Sequence, residues 1–179
     1  MSFKLNSIAK AASVILICGL LAACQSTGLK PGSLTSSFAP KGWVARQNGT
    51  KAIYFCSPSV CKSPEAVIVG PMKINGDVET AIRQGLLSKE LMNALENVIN
   101  VASKGEVRFT TERRIVTKTY SGFDLATRFK TDKGYVYGSM RLLIQNDRGS
   151  MVASFAKSRA KAKANLKRFL NRTTVRRLR

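Results

Sequence analysis

The chain has 179 residues, of which 30 are Lys or Arg and 10 are Asp or Glu, so its formal net charge is +20. This length allows one domain or one domain with an arm, and a hydrophobic content of 44% is too high for a wholly disordered chain. Because the sequence contains no His, it excludes a Ser-His-Asp triad, a Cys-His catalytic pair and every His-ligated zinc site.

The first residues have the pattern of an export signal. Lys4 and Lys10 form a short basic region, and residues 11–23 are an apolar run. This run is shorter than the roughly 20 apolar residues of a membrane-spanning helix, and it ends in the small residues that precede a cleavage site. We predict a signal peptide over residues 1–23.

The end of this segment, Leu21-Ala22-Ala23-Cys24, resembles the lipobox of bacterial lipoproteins. The resemblance implies a diacylated Cys24 thiol, cleavage before Cys24, and acylation of the new N-terminus with a fatty acid such as palmitate. Two or three acyl chains make a stable anchor, whereas one chain binds only marginally. The alternative is an ordinary secretory signal that happens to contain a Cys.

The residue after the lipobox bears on whether a lipoprotein stays in the inner membrane or moves to the outer membrane. In the enterobacterial sorting pattern an Asp there retains a lipoprotein in the inner membrane. Gln25 stands at this position, which favours the outer membrane with the domain facing the periplasm. Loss of the leader removes two basic residues and no acidic residue, so the mature net charge is +18.

Residues 24–40 are predicted to be a flexible tether, because they are rich in Ser, Thr, Gly and Pro and lack hydrophobic periodicity. A single domain is predicted over residues 41–179. It begins with two strand-like runs, residues 42–47 and 50–55, around Asn48-Gly49. Asn-Gly suits a type I′ turn, whose central residues both need positive φ, so we predict a hairpin.

Two cysteines, Cys56 and Cys61, follow this hairpin directly. In an exported chain a disulfide is the default for such a pair. A redox pair is the alternative, although the spacing is not the two-residue spacing of thioredoxin-like motifs. No metal site is expected from two thiols without His.

Strand and helix periodicities alternate along the next segment. We predict a short strand over residues 66–69, a helix over residues 77–87 with Asp77 as its N-cap, and a second helix capped by Ser88. From Glu106 onward apolar residues alternate with polar ones between short turns, which predicts an antiparallel meander. The apolar residues of the second helix recur on one face: Leu91, Leu95, Val98, Ile99 and Ala102.

The chain ends in a predicted basic helix and a frayed tail rich in Arg. Ala162, Leu166, Phe169 and Leu170 line one face of this helix. With helices covering one or both sheet faces, we predict an α+β sandwich, in which an antiparallel meander with an N-terminal hairpin packs against two or three helices. The candidate residues for binding an anionic surface are Arg159, Lys161, Lys163, Lys167 and Arg168.

Three segments and this last helix resemble a known fold. Residues 122–129 (GFDLATRF), 135–143 (YVYGSMRLL) and 151–156 (MVASFA) precede a helix with Phe169 near its end. This layout resembles the PsbP-like fold, which includes bacterial lipoproteins of the DcrB type, over residues 41–175. The resemblance implies a protein that binds or assists other macromolecules rather than a catalyst. It transfers no functional residue, because the fold has no fixed site.

The sequence offers little for catalysis, and we predict no catalytic residues, cofactor or metal. Glu106 and Glu112 lie six positions apart, about 20 Å along an extended strand, which is too far for a paired acid and base. Nucleotide-binding motifs are absent. An enzyme acting on cell-wall sugar is the remaining alternative of this class.

The sequence therefore predicts a non-enzymatic, membrane-anchored envelope lipoprotein. Its basic domain is expected to bind lipopolysaccharide, anionic lipid or a wall polymer, since each basic residue near an anionic membrane contributes roughly 1 kcal/mol. The alternative is a structural or assembly subunit of an envelope protein complex. Nucleic acid would suit the charge, but the export signal argues against it. A further alternative is that the charge is a set of solvated residues in a generally basic proteome.

Overall fold

The structure is a computed structural model that describes residues 28–178. The predicted signal peptide over residues 1–23 and the predicted acylation site at Cys24 lie outside the described residues. Within the described residues the chain forms nine strands and four helices.

The strands are β1 (Leu34–Ser36), β2 (Trp43–Asn48), β3 (Lys51–Cys56), β4 (Glu65–Met72), β5 (Val107–Val116), β6 (Ser121–Thr131), β7 (Gly134–Gln145), β8 (Arg148–Ala156) and β9 (Thr173–Val175). Seven of them form one antiparallel sheet, with the order β2-β3-β4-β8-β7-β6-β5. β1 and β9 form a separate two-stranded sheet. The helices are α1 (Pro58–Cys61), α2 (Val78–Arg83), α3 (Lys89–Ala102) and α4 (Arg159–Leu170).

Both faces of the large sheet carry an apolar cluster. Leu143 and Ile144 are consecutive in β7 but belong to different clusters, because successive side chains of a strand point to opposite faces. On one face Leu143 packs with Phe169 of α4, and on the other Ile144 packs with Ile82 of α2. The predicted α+β sandwich with an antiparallel meander and an N-terminal hairpin is confirmed.

The flexible tether predicted over residues 24–40 is wrong from residue 28 onward. Leu34–Ser36 pairs with Thr173–Val175, so the predicted frayed tail is also partly a strand. The Phe38 side chain is buried, and its ring lies 5.1 Å from that of Trp43 and 5.2 Å from that of Phe169, centroid to centroid. The Ser-rich and Gly-rich composition did not predict this, because the partners of β1 stand at the other end of the chain.

The predicted hairpin forms, but its turn is shifted by one residue. Asn48 pairs with Lys51, so Gly49 and Thr50 are the turn residues. Gly49 has φ +56°, whereas Asn48 and Thr50 do not have positive φ. Gly at the first central position is typical of a type II′ turn rather than of the predicted type I′ turn.

The disulfide predicted between Cys56 and Cys61 is present, with 5.9 Å between the two Cα atoms. Cys56 ends β3 and is buried. The bridge therefore fixes α1 to the end of the hairpin.

The helix caps form as the sequence predicts. Asp77 Oδ1 accepts a hydrogen bond of 3.0 Å from the Thr80 backbone N–H, and Ser88 Oγ accepts one of 3.2 Å from that of Leu91.

In the described part of the chain, no helix combines the length and the apolar character that crossing a bilayer requires.

Candidate anion-binding surface

The basic helix α4 lies on the sheet with one face buried. Its buried residues are Ala162, Asn165, Leu166 and Phe169. Three of the four residues predicted for the apolar face are thus buried, the fourth, Leu170, is half-buried, and Asn165 was not predicted. Asn165 Nδ2 donates a 2.5 Å hydrogen bond to the buried Glu65 Oε2. Sequence reasoning missed this pair because a polar residue within an apolar face gives no signal until its partner is known.

The five candidate basic residues do not form one patch. Arg159, Lys163 and Lys167 recur every four residues, which places them on one flank of the helix. Lys161 and Arg168 are seven residues apart and occupy the other flank. The buried face lies between the two rows.

Ion pairs partly neutralise both rows. Glu112 accepts from Arg159 at 3.1 Å and from Lys163 at 3.3 Å, and Glu65 lies 3.7 Å from Lys161. Among residues 28–178, Lys167 and Arg168 have no carboxylate within 4 Å. Neither of these two side chains is paired with a carboxylate there, so both are available to contact an anion.

A bulge in β5 places acidic and basic side chains beside α4. Thr111 opposes Leu125 and Arg113 opposes Asp124, so Glu112 is an extra residue in the strand. A bulge of this kind redirects side chains and breaks the strict alternation. Glu112 and Arg113 thereby both reach the α4 face of the sheet.

Between α4 and strands β5 to β7 lies a cleft of about 250 Å³. Its charged lining has four basic and two acidic side chains, which are Arg113, Arg141, Lys163, Lys167, Glu112 and Asp124. The excess of basic groups gives this cleft the charge that an anionic group requires.

At the floor of the cleft, Asp124 pairs with both Arg113 and Arg141. Arg141 donates to both its carboxylate oxygens, at 2.7 and 2.8 Å, and Arg113 donates at 2.7 Å. Burial alone would raise the pKa of Asp124, but the hydrogen bonds from Arg141 and Arg113 outweigh burial, so its pKa is lowered. The hydrogen bond to Asp124 in turn raises the pKa of Arg141.

Asp124 is therefore suited to charge pairing rather than to donating a proton. Glycoside hydrolysis needs a carboxyl group with a raised pKa as general acid, whereas the pKa of Asp124 is lowered. Across the residues whose structure is described, no three His, Cys, Asp or Glu side chains form a metal-binding group.

Helix α3 presents a second surface, with its polar face turned toward the protein. Asn100 accepts from the Phe109 backbone N–H at 3.0 Å and donates to the Phe109 carbonyl oxygen at 3.4 Å. Ser103 Oγ donates to the Val107 carbonyl at 2.8 Å, and Glu96 accepts from the Thr111 N–H. These bonds satisfy backbone groups of β5, which is one of the two edge strands of the large sheet.

The apolar face of α3 consequently faces solvent. The one-sided arrangement predicted for this helix is confirmed, but its apolar face does not cover the sheet. The polar face makes the contacts, because only polar side chains can bond a strand edge. The exposed side chains retain between 43% and 66% of their accessible surface: Leu91, Leu95, Val98 and Ile99.

Comparisons with known proteins bear on the fold. Neither the protein-family models nor the curated protein sequences include a match to this chain. The chain is similar to the solution structure of cyanobacterial PsbP (CyanoP) from Synechocystis sp. PCC 6803, with a TM-score of 0.51 and 11% identity over 85% of this chain and 94% of that one. This chain has a PsbP-like fold. The PsbP-like part of the resemblance is thereby confirmed, and at this identity the likeness shows the fold alone.

A second similar structure is a protein of Bacteroides thetaiotaomicron VPI-5482, with a TM-score of 0.44 and 10% identity. The match covers 86% of this chain and 50% of that one.

Proposed function

We propose that this protein is a non-enzymatic envelope lipoprotein whose basic domain binds an anionic envelope component, namely lipopolysaccharide, anionic lipid or a wall polymer. Acyl chains on Cys24, at the end of Leu21-Ala22-Ala23-Cys24, would hold it to the membrane. Gln25 supports the outer membrane as its destination, with the domain in the periplasm.

The observation that carries this proposal is the row Arg159-Lys163-Lys167 beside Arg113 across the cleft. Guanidinium and ammonium groups at this spacing offer several charged donors to one phosphate or carboxylate. Arg159 and Lys163 contact Glu112 in exposed ion pairs, which typically contribute less than about 1 kcal/mol. A multivalent anion can therefore displace Glu112 at little cost.

The test neutralises three residues of α4, with Lys163→Gln, Lys167→Gln and Arg168→Gln in one chain. We expect roughly tenfold weaker binding to lipopolysaccharide or to phosphatidylglycerol vesicles, and a flatter dependence on salt, because fewer charges contact the anion. Co-sedimentation at low and physiological salt measures both quantities.

The matched control removes three charges elsewhere, with Lys41→Gln, Lys62→Gln and Lys133→Gln. It keeps the same net charge as the α4 variant but leaves both rows intact. Unchanged affinity and an unchanged salt dependence of the α4 variant on every anion would contradict the proposal.

The second candidate is an accessory subunit of an envelope protein complex, and the exposed face of α3 favours it. Leu91, Leu95, Val98 and Ala102 follow the alternating spacing of four and three residues that is typical of helix pairing. The partner this surface fits is an apolar helix of another protein, since the four positions carry no charge.

This candidate predicts one stoichiometric partner that survives washing at high salt. The double change Leu95→Gln and Val98→Gln should release that partner, because it removes the apolar contact. The double change Asn93→Ala and Asn97→Ala, on exposed polar positions of the same helix, should retain it. Retention by both variants would contradict a role for α3.

A further inference from the structure

We infer that one end of the large sheet rests directly on an anionic lipid bilayer. Residue 28, which is four residues after Cys24 in the sequence, lies at this end. We call this end the anchor end and define it by Met72, Val116, Ser121 and the β7–β8 turn at Asn146-Asp147. The inference rests on the proposed function and specifies which surface of the domain faces the membrane.

The strand register places these residues at one end of the sheet. Val116 pairs with Ser121, Ser121 with Ile144, Ile144 with Gly149, and Gly149 with Met72. The chain enters the fold at this same end. The Leu29 backbone N–H donates a 3.2 Å hydrogen bond to Ser150 Oγ, one residue beyond Gly149.

The distance to the proposed anchor is short. Four residue steps join Gly28 to Cys24, and an extended chain spans at most about 14 Å over four steps. An acylated Cys24 therefore keeps the anchor end within about 14 Å of the lipid surface. The opposite end lies one strand length away, about 37 Å for the 12 residues of β7, which is beyond the reach of this linker.

The anchor end is strongly basic. Lys73 directly follows β4, Lys118 lies between β5 and β6, and Arg148 begins β8. Of the acidic residues here, Glu79 is buried and paired with Arg83 and Arg177, while Asp77 and Asp147 are exposed. Within residues 28–178, five basic residues at this end have no carboxylate within 4 Å, namely Lys30, Lys73, Lys118, Arg148 and Arg176.

Exposed apolar side chains lie among these charges. Val116, 47% exposed, is the last residue of β5. Leu86, 68% exposed, follows α2, whose Arg83 donates to the Thr117 carbonyl oxygen at 2.8 Å. Leu178, 40% exposed, is next to Arg177, which donates to Asn146 Oδ1 at 3.1 Å.

This combination fits a bilayer surface better than a soluble anion. Basic groups attract anionic headgroups, and apolar side chains gain by entering the boundary with the acyl chains. The attraction falls off within a Debye length of about 8 Å at physiological salt. Basic residues occur over much of the domain, including α4, but in the acylated chain the linker keeps the anchor end nearest the headgroups, so this end contributes most to the attraction.

The test compares two variants that have lost the same charge at opposite ends. The anchor-end variant carries Lys30→Gln, Lys73→Gln, Lys118→Gln and Arg148→Gln. The opposite-end variant carries Lys41→Gln, Lys62→Gln, Lys133→Gln and Lys157→Gln. Both are made in the chain from residue 24 onward with Cys24→Ser, which contains both sheets and both apolar clusters and, having no acyl chains, can bind vesicles only through its own side chains.

The measurement is co-sedimentation with vesicles of phosphatidylethanolamine and phosphatidylglycerol, with phosphatidylcholine vesicles as the neutral comparison. We expect the anchor-end variant to bind at least about tenfold more weakly than the parent chain, and the opposite-end variant to lose less than about threefold. Equal losses, or a larger loss in the α4 variant described above, would overturn this inference and leave the proposed function standing. No loss in any variant would overturn both.

A second readout reports contact with lipid directly. An environment-sensitive fluorophore is attached in the Cys24→Ser chain at Leu86→Cys, or, as the control, at Ala164→Cys on the exposed side of α4. We expect a blue shift on phosphatidylglycerol vesicles at position 86 and none at position 164. A shift at position 164 alone would place α4 on the bilayer and overturn the inference.

Discussion

Asp124 shows how one residue joins the stability of the fold to the charge of the cleft. It faces Arg113 on one neighbouring strand and Arg141 on the other. Both guanidinium groups donate to its carboxylate, which is why its pKa is lowered although it is largely buried. Without Asp124 the two Arg side chains would repel each other at the floor of the cleft.

The Asp124 pairing predicts a pH dependence of stability. The pKa of Asp124 is lower in the folded chain than the value of about 3.9 in the unfolded chain, so the unfolded chain binds the proton first as pH falls. The stabilisation is therefore present above pH ~4 and is lost as pH falls through the folded pKa. Asp124→Asn should show a smaller drop in unfolding free energy between pH ~6 and pH ~3, measured by urea denaturation.

The control for this prediction is Asp132→Asn, at an exposed turn residue that makes no ion pair in the described chain. It should retain the parent pH dependence. An identical pH dependence in Asp124→Asn and the parent would show that the two Arg contacts do not stabilise the fold.

The close approach of β7 to Gly122 predicts that any side chain added at position 122 destabilises the fold. A Cβ atom there would lie 1.9 Å from the Leu142 carbonyl oxygen, and the backbone of β7 cannot move without disturbing both faces of the sheet. Gly122→Ala should lower the free energy of unfolding by about 1–3 kcal/mol or more, measured by urea denaturation. In Gly70→Ala, where the Cβ would meet the flexible Lys51 side chain at 3.1 Å, the loss should be clearly smaller, and equal losses would refute this explanation.

At the scale of single elements, α3 shows that an amphipathic helix does not always turn its apolar face inward. Its polar residues bond the free backbone groups of β5, which lie along the edge of the sheet. Unpaired backbone groups at a strand edge invite pairing with other chains. Helix α3 covers this edge and leaves an apolar face for another contact.

The role of Asn100 can be tested directly. Asn100→Ala should lower the hydrogen-exchange protection of the Phe109 amide by about fivefold, because the loss of one such bond corresponds to about 1 kcal/mol. Asn97→Ala, at an exposed position one turn earlier in the same helix, should leave that amide unchanged. Equal protection in both variants would show that α3 is held to β5 by other contacts.

At the scale of the whole molecule, the proposed function depends on the covalent state of Cys24. Cells fed labelled palmitate should incorporate it into the parent chain, and Cys24→Ala should abolish incorporation and move the protein out of the membrane fraction. Cys18→Ala should change neither result, because residue 18 lies in the segment that the proposed cleavage before Cys24 would remove. Label retained in Cys24→Ala would contradict the lipoprotein proposal.

The molecule also separates two basic surfaces that the sequence could not distinguish. The rows of α4 lie on one face of the sheet, whereas the anchor end lies where the strands end. In the proposed lipid-anchored state the anchor end rests on the bilayer and leaves the α4 cleft open to a second anion. The charge-matched variants described above separate these two roles.

Sequence periodicity predicted the helices and most of the strands because these signals are local. Asp77 and Ser88 cap the helices that they were predicted to cap, since a cap bonds a backbone N–H only three residues away. The Cys56–Cys61 bridge is equally local. The candidate site was predicted only as a list of charges on α4, because ion pairs with Glu65 and Glu112 join residues far apart in sequence.

By itself the sequence determined the fold class, the meander, the basic helix and the disulfide, because each depends on residues within one or two neighbouring elements. Only the tertiary structure decided that residues 28–40 belong to the domain, that α3 faces outward, and that basic residues gather where the chain enters. Thr173 Oγ1 and Ser36 Oγ, for example, bond across a separation of 137 residues. Such pairings follow from the folding of the whole chain, and no local pattern encodes them.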